Sequence, residues 1–278
     1  LSAACTTINT EDDAPIAPAA PDAVADVSDA PAPEATPPAR NVSVEQVGPK
    51  IDYTAIVAMD TRPEGDRKDD AARKPADVLA FFGAEPGMAV FEMEAGGGYY
   101  TEMLSAAVGP DGKVLMQNPE SFDLFIAEPL KKRLGDNRLP NVKPIRSQFD
   151  DLKVDDESMD IVTWVLGPHE IYYFPEWAPD GLGEPEKTYA EISRILKPGG
   201  VFVALDHRAA ADTDEAMGHT LHRIDPAHIV AAATKVGLIK VEESDLLANP
   251  NDTLELMVFD EAIRRKTDRF LIKFQKPE

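Results

Sequence analysis

The sequence predicts an α/β protein in which helices cover both faces of a doubly wound, mostly parallel sheet. Two observations support this prediction. From about residue 46 onward, short apolar segments alternate at least four times with segments of helical periodicity. In addition, three consecutive glycines, Gly96, Gly97 and Gly98, lead directly from the first apolar segment into a helix. Consecutive parallel strands need such crossover helices, so the alternation favours a parallel sheet.

Composition limits the classes of function. The chain has 278 residues, 43% of them apolar, which is ample for a buried core. Lys and Arg total 28 against 50 Asp and Glu, which gives a net charge of -22. We predict no nucleic-acid partner, because phosphates would meet a surface of their own sign. No apolar run is long enough for a membrane-spanning helix.

Residues 1–45 differ from the rest of the chain. They consist mainly of Ala, Pro and acidic residues, a composition that predicts a disordered, solvated tether. The stretch "LSAAC" around Cys5 loosely resembles the processing box of bacterial lipoproteins, in which a lipid is attached to the cysteine. We therefore predict an exported, periplasmic protein that meets the membrane only through an N-terminal lipid. The alternative is a cytoplasmic protein. Residues 46–278 are predicted to form the folded domain.

Each element follows from local patterning. The first helix is predicted over 73–82, ended by Gly83 and Pro86. Strands rich in apolar and β-branched residues are predicted at 88–93, 112–118, 142–147, 159–166, 201–207, 239–246 and 269–276. Between them we predict helices at 99–109, 122–134 with an interruption near Pro129, 186–196 and 225–237. The last of these helices is capped by Asp225 and has Pro226 at its first position.

The glycine loop is suited to binding a ligand. Glycine permits positive φ and lets a ligand approach the backbone without meeting a Cβ, while the next helix presents free N-H groups. A tight turn alone would also use glycines. The order of Glu92, the "AGGG" loop, a helix and a later "LKPGG" before a strand resembles the class I S-adenosylmethionine-dependent methyltransferases. Stretches such as "TLHRIDPA" also resemble a group of predicted exported bacterial methyltransferases.

This resemblance implies a Rossmann-like sheet of seven strands with an antiparallel last strand, and S-adenosylmethionine as cofactor. Glu92 and the three glycines would hold its methionine part, and Tyr100 would cover the tail. The sequence departs from the family pattern at Glu94, where the first glycine of the loop is usual. Glu94 would add a negative side chain near the carboxylate end of the cofactor; the alternative is that its carboxylate meets the ammonium or sulfonium.

The adenosine part of the cofactor is assigned to three further residues. At the end of the second strand the family usually has an acid that binds both ribose hydroxyls, whereas this chain has Gln117 and Asn118. We assign Asn118 to the ribose. Asp150 and Asp151 stand where an acid or amide often meets the adenine amine. A solvated acidic turn is the alternative for these two.

Four of the five histidines follow strands at the predicted ligand-binding edge. His169 and His207 are predicted to flank the methyl acceptor as general bases, and Tyr172 to act with them. Metal binding by the histidines is the weaker alternative, because no compact signature such as H-E-x-x-H is present, so no metal site is assigned. The metal alternative would use His169, Asp206, His207, His219 and His222.

The sequence therefore predicts methyl transfer to an unknown small molecule. The alternative is an exported binding protein, for a small metabolite or a metal, that keeps the fold without the reaction. The sequence does not predict an oligomeric state.

Overall fold

A seven-stranded sheet forms the centre of the domain. The computed structural model describes residues 51–278, so the tether predicted for 1–45 and Cys5 lies outside the described part of the chain. The strands are β1 (Ala89–Met93), β2 (Lys113–Asn118), β3 (Val142–Arg146), β4 (Met159–Val165), β5 (Leu196–His207), β6 (Ile239–Ser244) and β7 (Arg269–Gln275). Their order is β3-β2-β1-β4-β5-β7-β6.

Strand pairing confirms the predicted topology. The pairs from β3 through β5 are parallel, and β7 pairs antiparallel with both β5 and β6. The sheet is therefore mostly parallel with an antiparallel last strand. Strand order reverses between β1 and β4, the point at which open sheets of this kind bind ligands beyond their carboxyl ends.

Nine α-helices are present in residues 51–278. They are α1 (Tyr53–Val57), α2 (Glu64–Arg67), α3 (Asp70–Arg73), α4 (Pro75–Phe82), α5 (Tyr99–Val108), α6 (Asp123–Leu134), α7 (Pro185–Ile195), α8 (Met217–Leu221) and α9 (Pro226–Lys235). None of the helices in this part of the chain has the length and apolar content that a membrane crossing requires.

Three local predictions need correction. The short helices α1 to α3 precede α4 and were not predicted, because each has too few residues to show a periodicity. Helix α6 runs without a break through Pro129. Strand β5 begins at Leu196, so the "KPGG" segment, predicted as a turn, already belongs to the strand.

The core has two layers, one on each face of the sheet. Alternate residues of β1 face opposite layers: Phe91 and Met93 pack with Trp164 of β4, whereas Val90 packs with Ile161 on the other face. All five β1 residues are buried, as expected for a strand covered on both sides. This burial fixes the register of β1 and hence the position of the loop that follows it.

Candidate active site

Two groups of functional side chains lie beyond the carboxyl ends of the central strands. One surrounds a cavity beside the loop of residues 94–98, which we call the glycine-loop cavity. The other, which we call the histidine cluster, consists of His169, Glu170, Asp206 and His222. These residues follow β4, end β5 or lie after α8. The edge of the sheet therefore carries both candidate sites.

The glycine-loop cavity has a volume of about 360 Å³. This is within the range of small-molecule sites, ~300–1,000 Å³. Five of the predicted cofactor-binding residues line it: Glu92, Glu94, Gly96, Gly97 and Tyr100. Helices α2 and α3 and the two-residue turn between them border it from the other side with Asp66, Asp69 and Arg73.

The glycines of the loop have different neighbours. A Cβ at Gly97 would lie 3.2 Å from Cβ of Pro129, and one at Gly98 would lie 3.1 Å from Met116 and 3.2 Å from Arg133. Gly98 also has a φ of 86°, in the region that favours glycine. At Gly96, with a φ of 55°, no protein atom lies within 4 Å of a Cβ position. The close approach of α6 and Met116 therefore explains why Gly97 and Gly98 have no side chain, whereas Gly96 faces open space.

Most amides of the loop already have partners within the protein. Gln117 accepts hydrogen bonds from the amides of Glu94 through Oε1 (2.9 Å) and Ala95 through its carbonyl (2.9 Å). Asn118 Oδ1 accepts from Gly96 N at 2.8 Å, and Gly98 N donates to the Ala95 carbonyl at 3.0 Å. Within residues 51–278, the amide of Gly97 has no such partner, and Gly97 lines the cavity.

Arg133 connects the loop to two helices. Its Nε donates to the Gly97 carbonyl (3.0 Å), Nη1 to Glu102 of α5 (2.7 Å) and Nη2 to Asp66 of α2 (2.7 Å). Glu102 is buried and also binds Arg138, and these hydrogen bonds lower its pKa although burial alone would raise it. Arg133 therefore holds the position of the loop relative to the cavity.

Glu92 is a buried acid at the wall of the cavity. Its Oε2 accepts a hydrogen bond of 2.5 Å from Thr101 of α5. Burial disfavours the carboxylate and raises the pKa of Glu92 to about 8, although Thr101 and Arg133 partly oppose this. A cationic ligand in the cavity would favour the ionised form and so gain binding energy from it.

Four predicted cofactor contacts lie away from the cavity wall. Gly98 packs against α6, and Asn118 is fully buried with both ends of its amide bonded to the Gly96 backbone. Asp150 accepts from Glu184 N at 3.1 Å, and Asp151 is exposed. None of the four lines the glycine-loop cavity. The adenosine contacts therefore stay predictions, and Asn118 in this structure clamps the loop itself.

The histidine cluster is organised around Asp206. This fully buried carboxylate accepts from the backbone N-H groups of His169 and His207, each at 2.7 Å. It also lies 2.9 Å from Nδ1 of His169. A carboxylate only accepts, so Nδ1 of His169 carries the proton and Nε2 points away from Asp206. There it meets Nδ1 of His222 at 3.2 Å and Glu170 Oε1 at 3.4 Å.

Neighbouring charges set the protonation of the cluster. Burial disfavours the His169 imidazolium, but the carboxylates of Asp206 and Glu170 outweigh this and raise its pKa to about 10. Burial would raise the pKa of Glu170, yet the neighbouring His169 and His222 side chains lower it to about 2. The pKa of Glu94 is raised well above its usual range by burial and by the Glu170 carboxylate.

The predicted catalytic residues have different surroundings. His207 ends β5, with Nδ1 2.7 Å from Thr267 Oγ1 and its ring centre 6.2 Å from that of His169. Burial, followed by the charge of His169, lowers the pKa of His207 well below 6.5, so its imidazole is neutral. Tyr172 lines a different cavity together with His228, because the short 3₁₀ helix Pro168–Tyr172 turns its ring toward α9. The structure therefore brings His169 and His207 together but not Tyr172.

Sequence reasoning missed several residues at the two sites. Glu170, Arg133, Arg73 and Asp66 were not assigned to a site, although Glu170 directly follows His169 in the sequence. Of the two histidines after β5 that the metal alternative would use, only His222 joins the cluster, because it caps α8 with a φ of 53° and is buried. The adjacent pair His169-Glu170 was a signal that could have been used.

The central part of the chain is similar to known methyltransferases. Residues 92–204 match the methyltransferase domain family. A demethylmenaquinone methyltransferase of Geobacillus stearothermophilus is 30% identical over 130 residues, 47% of this chain and 50% of that protein. A ubiquinone/menaquinone biosynthesis C-methyltransferase of Idiomarina loihiensis is 23% identical over 164 residues, 59% of this chain and 57% of that protein. The chain thus spans about half the length of these relatives.

Solved structures share the fold. A SAM-dependent methyltransferase from Aquifex aeolicus superposes with a TM-score of 0.54 at 19% identity, covering 81% of this chain and 99% of that one. Geranyl diphosphate C-methyltransferase from Streptomyces coelicolor gives 0.54 at 15% identity, covering 80% and 89%. The class I methyltransferase fold is therefore confirmed.

Proposed function

The chain carries a methyltransferase domain, and we propose that it transfers the methyl group of S-adenosylmethionine to a small-molecule acceptor. The observation that carries this proposal is the open glycine-loop cavity. The loop places Gly96 against free space, whereas its other glycines are packed against protein. A turn that served only to connect β1 with α5 would not need to keep this space open.

The cavity wall fits the amino-acid end of the cofactor. That end carries an ammonium and a carboxylate. Glu92 and Glu94 offer acidic groups, while Arg73, which lies 4.5 Å from the centre of the Tyr99 ring, offers a guanidinium. The free amide of Gly97 adds a donor at the start of α5, where the helix dipole favours an anion. Opposite charges in one partly buried cavity match a zwitterion better than a simple anion or cation.

Positioning is the main contribution of the protein to the reaction. When bound, S-adenosylmethionine supplies an electrophilic methyl group on its sulfonium. The protein needs to hold an acceptor in line with that group and to exclude water. Arg133 and Asn118 hold the loop rigid, and the Tyr99 hydroxyl donates to Asp70 at 2.6 Å, which fixes α3 over the cavity. The pre-formed cavity would lower the ordering cost of binding.

His207 is the residue best suited to meet the acceptor. Its neutral imidazole can accept a hydrogen bond or a proton from an acceptor O-H, N-H or acidic C-H. Nε2 of His169 faces His222 and Glu170 within the histidine cluster. We therefore assign the base role to His207 rather than to His169.

The acceptor class is open to experiment. One relative named above is a C-methyltransferase of ubiquinone and menaquinone biosynthesis and the other is a demethylmenaquinone methyltransferase, so demethylmenaquinone-type compounds are the first acceptors to test. The alternative of a binding protein without methyltransferase activity receives no support from the comparisons, which indicate methyltransferases.

Calorimetric titration of the full chain with S-adenosylmethionine and with S-adenosylhomocysteine tests the proposal. We expect binding of both ligands. Glu92→Gln should weaken binding about ten- to hundredfold, because a hydrogen bond to a charged group contributes ~1.5–3 kcal/mol. Glu85→Gln is the matched control, the same chemical change at an exposed position before β1 and outside the cavity, and should bind like the parent. Absence of both heat and a thermal shift at millimolar ligand would contradict the proposal.

Export remains a separate proposal. It is supported by Cys5 in "LSAAC" and by the Ala/Pro-rich segment that follows it. Expression of the full precursor with radiolabelled palmitate should label the protein, and Cys5→Ala should abolish the label. Unlabelled parent protein confined to the cytosolic fraction would favour the cytoplasmic alternative.

A further inference from the structure

The histidine cluster contains three ligand atoms that converge on one point. Nε2 of His169, Nδ1 of His222 and Oε1 of Glu170 form a triangle with sides of 3.2, 3.4 and 3.5 Å. Charge-assisted hydrogen bonds between such groups are usually shorter, about 2.7–2.9 Å. All three sides of the triangle are longer than this range.

The triangle has the size of a metal-ligand face. Zinc binds nitrogen and oxygen ligands at about 2.0–2.1 Å, and tetrahedral angles at those lengths separate neighbouring ligands by about 3.3–3.4 Å. The observed sides lie close to this value. We propose that His169, Glu170 and His222 bind a divalent first-row transition cation, with zinc as the best match, through two nitrogens and one oxygen.

The surrounding residues support the orientation of each ligand. Asp206 binds Nδ1 of His169, which directs Nε2 toward the cation position; a carboxylate behind a ligating histidine is the usual arrangement in such sites. Asp206 is itself fixed by two backbone N-H groups. The first ligand is therefore held in place before any cation binds.

His222 is held in a conformation that a side chain rarely adopts. Its φ is 53°, a left-handed value that is costly for residues other than glycine and persists only where the surroundings enforce it. Helix α8 approaches so closely that a Cβ at Gly218 would lie 2.6 Å from the His169 carbonyl oxygen. Arg223, the next residue, forms a fully buried ion pair with Asp252. These contacts turn the His222 ring into the cluster.

The proposed metal site is accessible from solvent and has a free coordination position. Glu170 is partly exposed, with 14% of its side chain accessible, and it borders the cluster on the solvent side. Three protein ligands in a tetrahedral arrangement leave the fourth position for water or another small ligand. The carboxylates of Glu170 and Asp206 supply the negative charge that offsets a divalent cation. This inference is independent of the proposed methyl transfer, because occupancy can be measured without cofactor.

Cobalt(II) provides the direct test, since it occupies zinc sites and its visible absorption reports the coordination number. Untagged full-length protein is treated with dipicolinate, dialysed and titrated with Co²⁺, then with Zn²⁺ in competition. We expect one equivalent to bind, with a visible band typical of four or five ligands, and zinc to displace it. Parent protein that shows no such band at saturating Co²⁺ overturns the proposal, whatever the variants do.

Matched variants locate the site. Glu170→Gln and His222→Gln each remove one ligand and should lower affinity more than the roughly 10- to 100-fold expected for Asp206→Asn, which only positions His169. His228→Gln is the control, because His228 lies outside the cluster and contacts the Thr213 carbonyl. Thermal unfolding verifies that each variant folds. Unchanged Co²⁺ affinity in folded Glu170→Gln and His222→Gln proteins would show that a proton-bridged ionic cluster, not a metal site, occupies this position.

Discussion

The glycine-loop cavity and the histidine cluster lie at the same edge of the sheet, but backbone forms the first and side chains form the second. The cavity is a gap in the backbone layer, and most polar groups of its loop already bond to Gln117, Asn118 or Arg133. The cluster is a set of converging side chains whose polar atoms point at one another. The glycine-loop cavity selects a ligand by its shape, whereas the histidine cluster concentrates charged side chains.

This difference also separates the roles of neighbouring residues. In the cavity, removing a side chain from the loop creates the room, so glycine is the functional residue. In the cluster, the backbone of α8 and the segment after it hold imidazoles against carboxylates, so the residues that brace this backbone matter most. Four predictions test this contrast, from the largest expected effect to the smallest.

Arg223→Ala should cause the largest loss of stability and should damage the cluster rather than the cavity. Arg223 binds Asp252 through both Nη atoms at 2.9 and 3.1 Å, and both side chains are buried. Removing one member of a buried pair leaves the other charge unpaired and costs about 3–5 kcal/mol. Urea unfolding measures this loss.

The control is Arg208→Ala. Arg208 forms a partly exposed ion pair with Asp268 at 3.3 Å, for which a loss below about 1 kcal/mol is expected. Equal losses for the two variants would contradict the bracing role of Arg223.

The loop glycines should differ in what they control. Gly98→Ala forces a side chain into a left-handed conformation, which costs about 1–2 kcal/mol, and presses on Met116 and Arg133. Gly96→Ala carries a similar conformational cost but meets no protein atom, so its Cβ reduces the cavity instead. We expect Gly98→Ala to lower the unfolding free energy more, and Gly96→Ala to weaken S-adenosylmethionine binding more. Unfolding and calorimetry on both variants check this, and a reversed order would contradict it.

Glu92 should make stability depend on pH in a defined direction. Its folded pKa of about 8 is above the ordinary value of 4.5, so the folded state keeps a proton that the unfolded chain loses between these values. The contribution of Glu92 is therefore fully present below pH 4.5 and is lost as pH rises toward 8. Glu92→Gln should gain at least about 1 kcal/mol relative to the parent between pH 4.5 and 8, since one pKa unit corresponds to about 1.4 kcal/mol.

Glu102 provides the opposite case on the other side of the loop. Its pKa is lowered by Arg138 and Arg133 despite burial, so its stabilising contribution is present above its ordinary value of 4.5 and is lost at lower pH. In denaturant titrations, the stability difference between Glu92→Gln and the parent should change between pH 4.5 and 8, whereas that between Glu102→Gln and the parent should change only below pH 4.5. A Glu92→Gln difference that stays constant between pH 4.5 and 8 would contradict the assigned ionisation of Glu92.

The smallest effects are expected for residues that the sequence assigned to the site but that lie outside the glycine-loop cavity in the structure. Tyr172→Phe and Asp151→Asn should each change S-adenosylmethionine affinity less than about twofold and stability by no more than about 0.5 kcal/mol. Tyr172 lines another cavity, and Asp151 is exposed. A tenfold loss of affinity in either variant would show that the adenosine or acceptor side extends beyond the glycine-loop cavity.

The fold could be predicted from local sequence patterns, because helices and strands are recognised by their hydrophobic periodicity. The β1 segment, the loop and α5 follow from an apolar run, three glycines and a helical repeat, and the structure confirms all three. Short helices such as α2 and α3, with four residues each, carry no repeat to detect. Yet these two helices supply Asp66 and Arg73 to the cavity wall, so this part of the wall could not be predicted.

Side-chain partners were harder to predict than positions. The convergence of His169 and His207 at one edge followed from the ends of parallel strands, whereas the inward turn of His222 depends on a left-handed backbone that no local pattern indicates. Asn118 was placed at the correct strand end but is bonded to Gly96 in the folded structure. Whether Asn118 contacts a ligand or holds the loop depends on contacts between segments that are distant in the sequence.

The sequence by itself determined the sheet, its helices and the place where glycine opens the backbone, because hydrophobic periodicity and glycine conformation are local properties. The tertiary structure decided which carboxylates and imidazoles meet, at what distance and with what protonation. That outcome depends on burial and on charges brought together from residues 94, 133, 170, 206 and 222, which lie far apart along the chain. Electrostatic energies depend on those distances and on exclusion of water, neither of which exists before the chain folds.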